Sequence, residues 1–313
     1  MTRLLTPQRG AAIITALLVV ALVAVTASAL LAQQSQTLTR TEAVIARAQA
    51  RAYSDTAVQW ARSILADDAR RDGIAGNDHF GEAWASGITA LPVENAVVSG
   101  TISDEQGRFN LNNLVTDKGT VVPSSVQFFR NLLEKLGLPP DLANAVVDWI
   151  DADSDTSSPG GAEDLTYLAL PSPYRAANRP LVQVDELLRV KGFDAKTVNA
   201  LRPFVTALPA ITRINLNTAP LEVIRAALPK FSEMELLQFA KERLTKPFTD
   251  LNDIRTRYPR AEESMFLNTD LGVKSDYFTA NVAVSSGNVQ LRTQTLLKRV
   301  PNGWPVIIWV NSL

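Results

Sequence analysis

The densest group of chemically capable side chains lies at residues 148–164. There Asp148, Asp151, Asp153, Asp155, Glu163 and Asp164 fall in the run DWIDADSDTSSPGGAED. No lysine or arginine stands between Lys135 and Arg175, so nothing nearby in the chain offsets these carboxylates. Crowded like charges repel, and a bound cation is the natural remedy. Carboxylates and hydroxyls, with neither histidine nor cysteine among them, are hard oxygen donors suited to Ca²⁺ or Mg²⁺. Irregular spacing over a long loop favours Ca²⁺, which accepts about six to eight ligands in flexible geometry. The loop is not an EF-hand. Asp151, Asp153 and Asp155 fit positions 1, 3 and 5, but Thr156 replaces the glycine at position 6 and Glu163 falls one residue beyond position 12. A solvated acidic loop without an ion is the plainer alternative.

Other chemistry is largely excluded. The 313 residues contain no cysteine and one histidine, His79, which rules out disulfides, thiolate sites and multi-histidine metal sites. Glu163 and Asp164 are adjacent on a loop, where neighbours seldom face one another, and no nucleophile stands near them for acid–base work. There is no G-x-S-x-G, P-loop lysine or G-x-G-x-x-G. His79, in a glycine-rich stretch, reads as a surface or packing residue, and Trp84, Trp304 and Trp309 as core or interface. The composition fits a globular protein with no basic excess to grip nucleic acid: 46% hydrophobic, 20% charged, net charge -1. These residues point away from an enzyme.

The elements around the acidic loop read as helical. A weak internal repeat runs through Glu134 to Ile150, Arg189 to Val205 and Ala227 to Arg243, each a helix, a tight turn and a second helix. In the third, Ser232 and Glu235 have capping-box spacing. The preceding run INLNTA (214–219) is similar to the opening of helix-hairpin-helix modules that bind DNA. Those modules grip phosphate with a G-h-G hairpin, h being apolar. Here the hairpins are Gly137-Leu-Pro139, Gly192-Phe-Asp194 and Lys230-Phe-Ser232, none with the second glycine. Pro139 lacks an N–H and Asp194 repels phosphate, so packing is the preferred role.

Strand signals flank this helical stretch. Residues 73–95, rich in glycine, read as irregular loops, and Ala96 to Leu111 as a hairpin turning at Asp104 to Gly107. Tyr277 to Ser285, Val289 to Val300 and Val306 to Val310 read as an antiparallel meander. One sheet built from both flanks gives an α+β fold, with 73–112 and 272–313 forming a discontinuous α/β domain interrupted by an all-α insertion at 113–271.

The N-terminus decides how the chain is held. Arg3 and Arg9 precede Gly10, and no charge follows until Arg40. Residues 11–32 are almost wholly Ala, Leu, Val and Ile, enough to span the hydrocarbon core with 1–10 in the cytoplasm. Three readings compete: a secretory signal peptide cleaved after Ala27-Ser28-Ala29, a plain signal anchor, and a leader cut after Gly10 with the apolar segment retained. From Gln33 to Asp68 there is neither Gly nor Pro, and Tyr53, Ala57, Trp60 and Ile64 recur at helical spacing, so one helix covers 11–72. Such continuity favours the third reading.

The junction Arg9-Gly10-Ala11-Ala12-Ile13-Ile14 resembles a type IV prepilin. Pilins usually carry glutamate at the fifth mature position, which here is Thr15. Together with D-W-I-D-x-D, G-A-E-D and the PYRAAN run (173–178), these features resemble the minor pseudopilins of the K type of type II secretion over nearly the whole chain. The resemblance implies a pilin-like fold with a helical insertion, cleavage after Gly10 by the prepilin peptidase, and N-methylation of Ala11. It implies calcium at Asp151, Asp153, Asp155, Glu163 and Asp164, with Asp148 a lesser candidate because a helix holds it. It also implies I-type and J-type minor pseudopilins and the major pseudopilin filament as partners. The protein would sit in the inner membrane with its bulk in the periplasm, at the tip of the pseudopilus, to start or cap its assembly. The rivals are a membrane-anchored competence-type DNA-binding protein and a minor pilin of a surface type IV pilus.

Overall fold

The computed structural model describes residues 9–72, 76–301 and 303–312. Most of the expected leader, residues 1–8, lies outside them, and nothing is described of the side chains of Gly10 and Ala11. A helix α1 (Arg9–Asp72) runs unbroken, as the absence of internal Gly and Pro after Gly10 permits. Residues 12–42 are exposed, and this is the one described helix long and apolar enough to cross a membrane. Further along, Ala50, Val58, Ala61 and Leu65 are buried against a sheet, joined by a hydrogen bond between the hydroxyls of Ser54 and Thr293 at 2.8 Å.

That sheet has five antiparallel strands in the order β1 (Ile88–Val93), β2 (Ala96–Asp104), β7 (Tyr277–Ser286), β8 (Val289–Lys298) and β9 (Val306–Ser312). Alternation sets its faces. Phe278, Ala280, Val282 and Val284 point to α1, and Tyr277, Thr279 and Asn281 point away. The hairpin expected at 96–111 is one strand earlier: β1 pairs with β2, although 73–95 read as loop. Pro92 and a bulge between Ile88 and Leu91 disguise β1, and both are tolerated because it is an edge strand. Past Asp104 the chain does not turn back. Its short β3 (Phe109–Asn110) joins β4 (Val205–Thr206) in a parallel pair.

The chain between β2 and β7 forms a second core, helical except for β3–β4 and a parallel pair of β5 (Ile214–Asn215) with β6 (Leu271–Gly272). Helices α2 (Pro123–Lys135), α3 (Leu142–Ile150), α4 (Asp164–Leu168), α5 (Ala195–Leu201), α6 (Leu221–Ala227), α7 (Glu233–Thr245) and α8 (Leu251–Arg257) surround it. Phe109 stacks on both Phe128 and Phe129, at 5.1 and 5.5 Å between ring centres. Gly137, at φ 69°, ends α2, and the Leu138 N–H reaches back to the Leu133 carbonyl at 2.9 Å. In the second repeat the leading element is a 3-10 turn (Val184–Arg189) rather than an α-helix.

The two units meet at one end of the sheet. Tyr53 of α1 donates to Glu94 beside the β1–β2 turn, at 2.9 Å. Asp68, about 22 Å further along the helix, meets Arg299 just after β8. Asp104 opposes Phe278 and Tyr277 opposes Lys298, so the insertion leaves and re-enters at the Asp68 end, away from the apolar segment. The buried Asp104 accepts hydrogen bonds there from Asn215 Nδ2 (3.0 Å), Thr218 Oγ1 (2.6 Å) and Ser275 Oγ (2.7 Å). These bonds fasten insertion to sheet.

Candidate metal centre

The acidic loop is framed by two helices. All nine residues of α3 are buried, which fixes where Asp151 emerges at its C-terminal end, its N–H still bonded to the Val147 carbonyl at 2.8 Å. Glu163 stands at the N-terminal end of α4, yet its side chain does not cap the helix. Between them the loop folds onto Asp148, whose carboxylate accepts the Ser157 N–H at 3.0 and 3.2 Å. Gly161 closes the loop. A Cβ there would run into Asp148 Oδ2 and the Ser157 carbonyl, so only glycine fits.

This folding brings one oxygen each of Asp151, Asp153 and Glu163 within 4.8 Å of one another. Asp151 and Glu163 are 2% and 4% exposed, whereas Asp153 is exposed. Asp151 Oδ1 and both carboxylate oxygens of Glu163 are buried without a hydrogen-bond partner among the described residues. No salt bridge among the described residues involves any of the three. Lys191 comes near the loop but donates to the Gly161 carbonyl at 3.1 Å. Burial pushes the Asp151 carboxyl up to about 6, with the charges of Asp153 and Asp148 adding to it. Burial, then Asp148, Asp151 and Asp153, pushes Glu163 up to about 7. Buried carboxylate oxygens left unpaired are costly, and a hard cation bound between them removes that cost. The donor set therefore fits Ca²⁺.

The other expected ligands are placed differently. Asp155 is exposed and outside the group, with its N–H bonded to Asp153 Oδ1 at 2.8 Å. Asp164 accepts the Ala176 N–H at 3.0 Å and lies 3.6 Å from Arg175, also outside it. Thr15, in the apolar part of α1, donates its hydroxyl to the Ala12 carbonyl at 3.0 Å. The Trp149 indole stacks edge-on with Tyr167 at 5.2 Å beside the acidic loop.

A second acidic group escaped sequence reading. Asp68, Asp78 and Glu82 also lie within 4.8 Å of one another, from the end of α1 and the segment before β1. Nothing in their spacing announces it, because α1 ends between the first and the other two. The hairpins, for their part, leave little for phosphate. The Thr197 N–H is taken by Asp194 at 2.7 Å and the Ser232 N–H by Glu235 at 2.7 Å.

Known proteins agree with this architecture. Residues 107–210, which include the acidic loop, match the family described as Type II secretion system (T2SS), protein K. The chain is 34% identical to "Type II secretion system protein K" of Pseudomonas aeruginosa over 304 residues, 95% of this chain and 89% of that one. It is 33% identical to the protein of that name from Pectobacterium carotovorum subsp. carotovorum over 306 residues, 93% of this chain and 92% of that one. Among solved structures, the GspK-GspI-GspJ complex of the enterotoxigenic Escherichia coli type 2 secretion system contains a chain that superposes with TM-score 0.76. That chain is 28% identical, and the match covers 88% of this protein and 99% of the other.

Proposed function

The chain belongs to the type II secretion system protein K family, the K-type minor pseudopilins, and we propose that it occupies the tip of the pseudopilus, where it initiates or caps assembly. One observation carries the tip position. The helical insertion emerges at the end of the sheet farthest from the apolar part of α1. With that part in the inner membrane, the insertion stands on top of the subunit, in the periplasm, where a further subunit would collide with it. Thr15 supports the same position. An intramembrane carboxylate calls for a partner charge, whereas a hydroxyl bonded to its own helix does not. The solved complex of the related GspK with GspI and GspJ supports I-type and J-type minor pseudopilins as the neighbours below it. The work is mechanical and interactive rather than catalytic.

Two further parts of the reading concern maturation and metal. The prepilin peptidase cuts after Gly10 and Ala11 becomes the methylated N-terminus; mass spectrometry of the mature protein tests this, and Leu30 as first residue would sink it. Calcium is held by Asp151, Asp153 and Glu163, supported by the unpaired buried oxygens of Asp151 and Glu163 and by the exposed Asp153 carboxylate beside them. When bound, it would offset two of the trio's three negative charges, and Asp151 at the end of α3 and Glu163 at the start of α4 would hold it between them. The tip position is tested through the absence of native cysteine. Met234 is 80% exposed on the insertion, and Met234→Cys labelled with gold is expected to mark one end of each pseudopilus in electron micrographs. Label along the filament would exclude the tip.

A further inference from the structure

The face of the sheet turned away from α1 is not bare. The segment that follows β4 covers part of it, where Leu208 packs on Tyr277 and Leu296 with Trp309 against them. Beside this contact a cleft of about 650 Å³ remains open between sheet and insertion. Cross-strand register builds its floor: Asn281, Gln294 and Asn311 stand in one row, and Thr279, Leu296 and Trp309 in the next.

The chemistry of this cleft is specific. Gln294 donates to Asn281 Oδ1 at 3.0 Å, and the Asn281 amide N–H groups and Gln294 Oε1 make no side-chain hydrogen bond to a described residue. The Thr279 hydroxyl and the Asn311 amide make no side-chain hydrogen bond to a described residue. The charged groups in the walls are matched internally, Arg108 with Glu105 at 3.1 Å and Arg202 with Asp185 at 2.5 Å. Among the described residues of the lining, no cation is left over for a phosphate or carboxylate, and no side-chain carboxylate for an amine. Unspent amides and a hydroxyl, beside the apolar surface of an indole, suit a ligand that carries many hydroxyls and no charge.

We propose that this cleft binds a short uncharged saccharide, about two to three pyranose rings long, with its hydroxyl or acetamido groups on the Asn281–Gln294–Asn311 row and a ring lying on Trp309. A cell-wall glycan strand and a free oligosaccharide share this chemistry. The site is separate from the acidic loop and from the apolar part of α1, and does not depend on the tip position.

The test uses the full chain in a zwitterionic detergent without a sugar head group, titrated with chitotetraose by calorimetry and tryptophan fluorescence. Saturable binding is expected, weakened at least about tenfold by Asn311→Ala or Gln294→Ala at unchanged melting temperature. Trp309→Phe is expected to abolish the fluorescence change while heat is still released. Co-sedimentation with purified peptidoglycan sacculi assigns the wall glycan as source, and its absence alongside chitotetraose binding assigns a free oligosaccharide. The proposal fails if chitotetraose does not saturate, if both amide variants bind it unchanged, or if tetraglycine binds the cleft in its place.

Discussion

Asp68, Asp78 and Glu82 beneath the insertion, and Asp151, Asp153 and Glu163 inside it, are trios of the same size and composition. Their surroundings differ in one respect. Arg299 enters the first, 2.7 Å from Asp68 and paired also with Asp78, and it donates to the Ser275 carbonyl at 2.5 Å. Burial pulls the Arg299 guanidinium down, and the charges of Asp78 and Asp68 more than reverse it. The third member, Glu82, is pushed up to about 8 by burial, against hydrogen bonds from His79 N–H and Trp84 Nε1, with the charges of Asp68 and Asp78 adding to the rise. The second trio has no such cation among the described residues, and Asp151 Oδ1 and both Glu163 carboxylate oxygens have no hydrogen-bond partner there. Acids gathered from distant parts of the chain come with their counter-charge. Acids concentrated in one loop meet no counter-charge among the described residues, which is the opening the proposed calcium would fill.

The largest effect should come from removing the internal cation. Arg299→Met leaves Asp68 and Asp78 buried together and is expected to cost about 3–5 kcal/mol in denaturant unfolding. Added calcium should restore none of it; full restoration would make the two trios alike and break the comparison. Next in size is the external cation. Calcium at about 100 times its Kd should stabilise the protein by about 2.7 kcal/mol, lost on adding a chelator and read by calorimetry. Terbium in its place should emit through Trp149, and Trp149→Phe should dim that emission without releasing the ion.

Glu163→Gln separates charge from shape. At pH 8 without metal it is expected to stabilise by about 1–2 kcal/mol, because a buried charge has gone, and to abolish the calcium response. A loss of metal-free stability instead would mean that Glu163 is satisfied by the protein. The same effect has a sign along the pH axis. Asp151 and Glu163 have folded values above the ordinary carboxylate range, so the native state holds protons that the unfolded chain has released. Metal-free stability from these groups is full below about pH 4 and is lost as pH rises through about 6 and 7. Calcium needs the ionised forms, so its stabilisation should grow over that window, measured as melting temperature against pH. Smallest is Asp155→Asn, which removes an exposed carboxylate outside the trio and should change stability by less than about 0.5 kcal/mol.

Much of this was legible in the residues. The long helix, the strands Tyr277–Ser286 and Val289–Lys298, the Ser232–Glu235 capping box and the helical insertion follow from periodicity and local hydrogen bonding, which neighbouring residues determine. β1 was not legible, because Pro92 and Gly87 signal a loop and only an edge position tolerates the proline. Nor was the fate of Asp104. It sits at turn-like spacing, but its carboxylate is consumed by Asn215, Thr218 and Ser275, brought to it by the return of the insertion.

By itself the sequence determined what is continuous along the chain: an apolar helix that holds the protein, Thr15 within it, and six acids with no base among them. The tertiary structure decided which charges meet. It selected Asp151, Asp153 and Glu163 and placed Asp155 and Asp164 outside their group. It also delivered Arg299 to Asp68 and Asp78, which no spacing predicts. Charge interactions depend on distance in space and on burial, and both are set only when the insertion closes onto the end of the sheet.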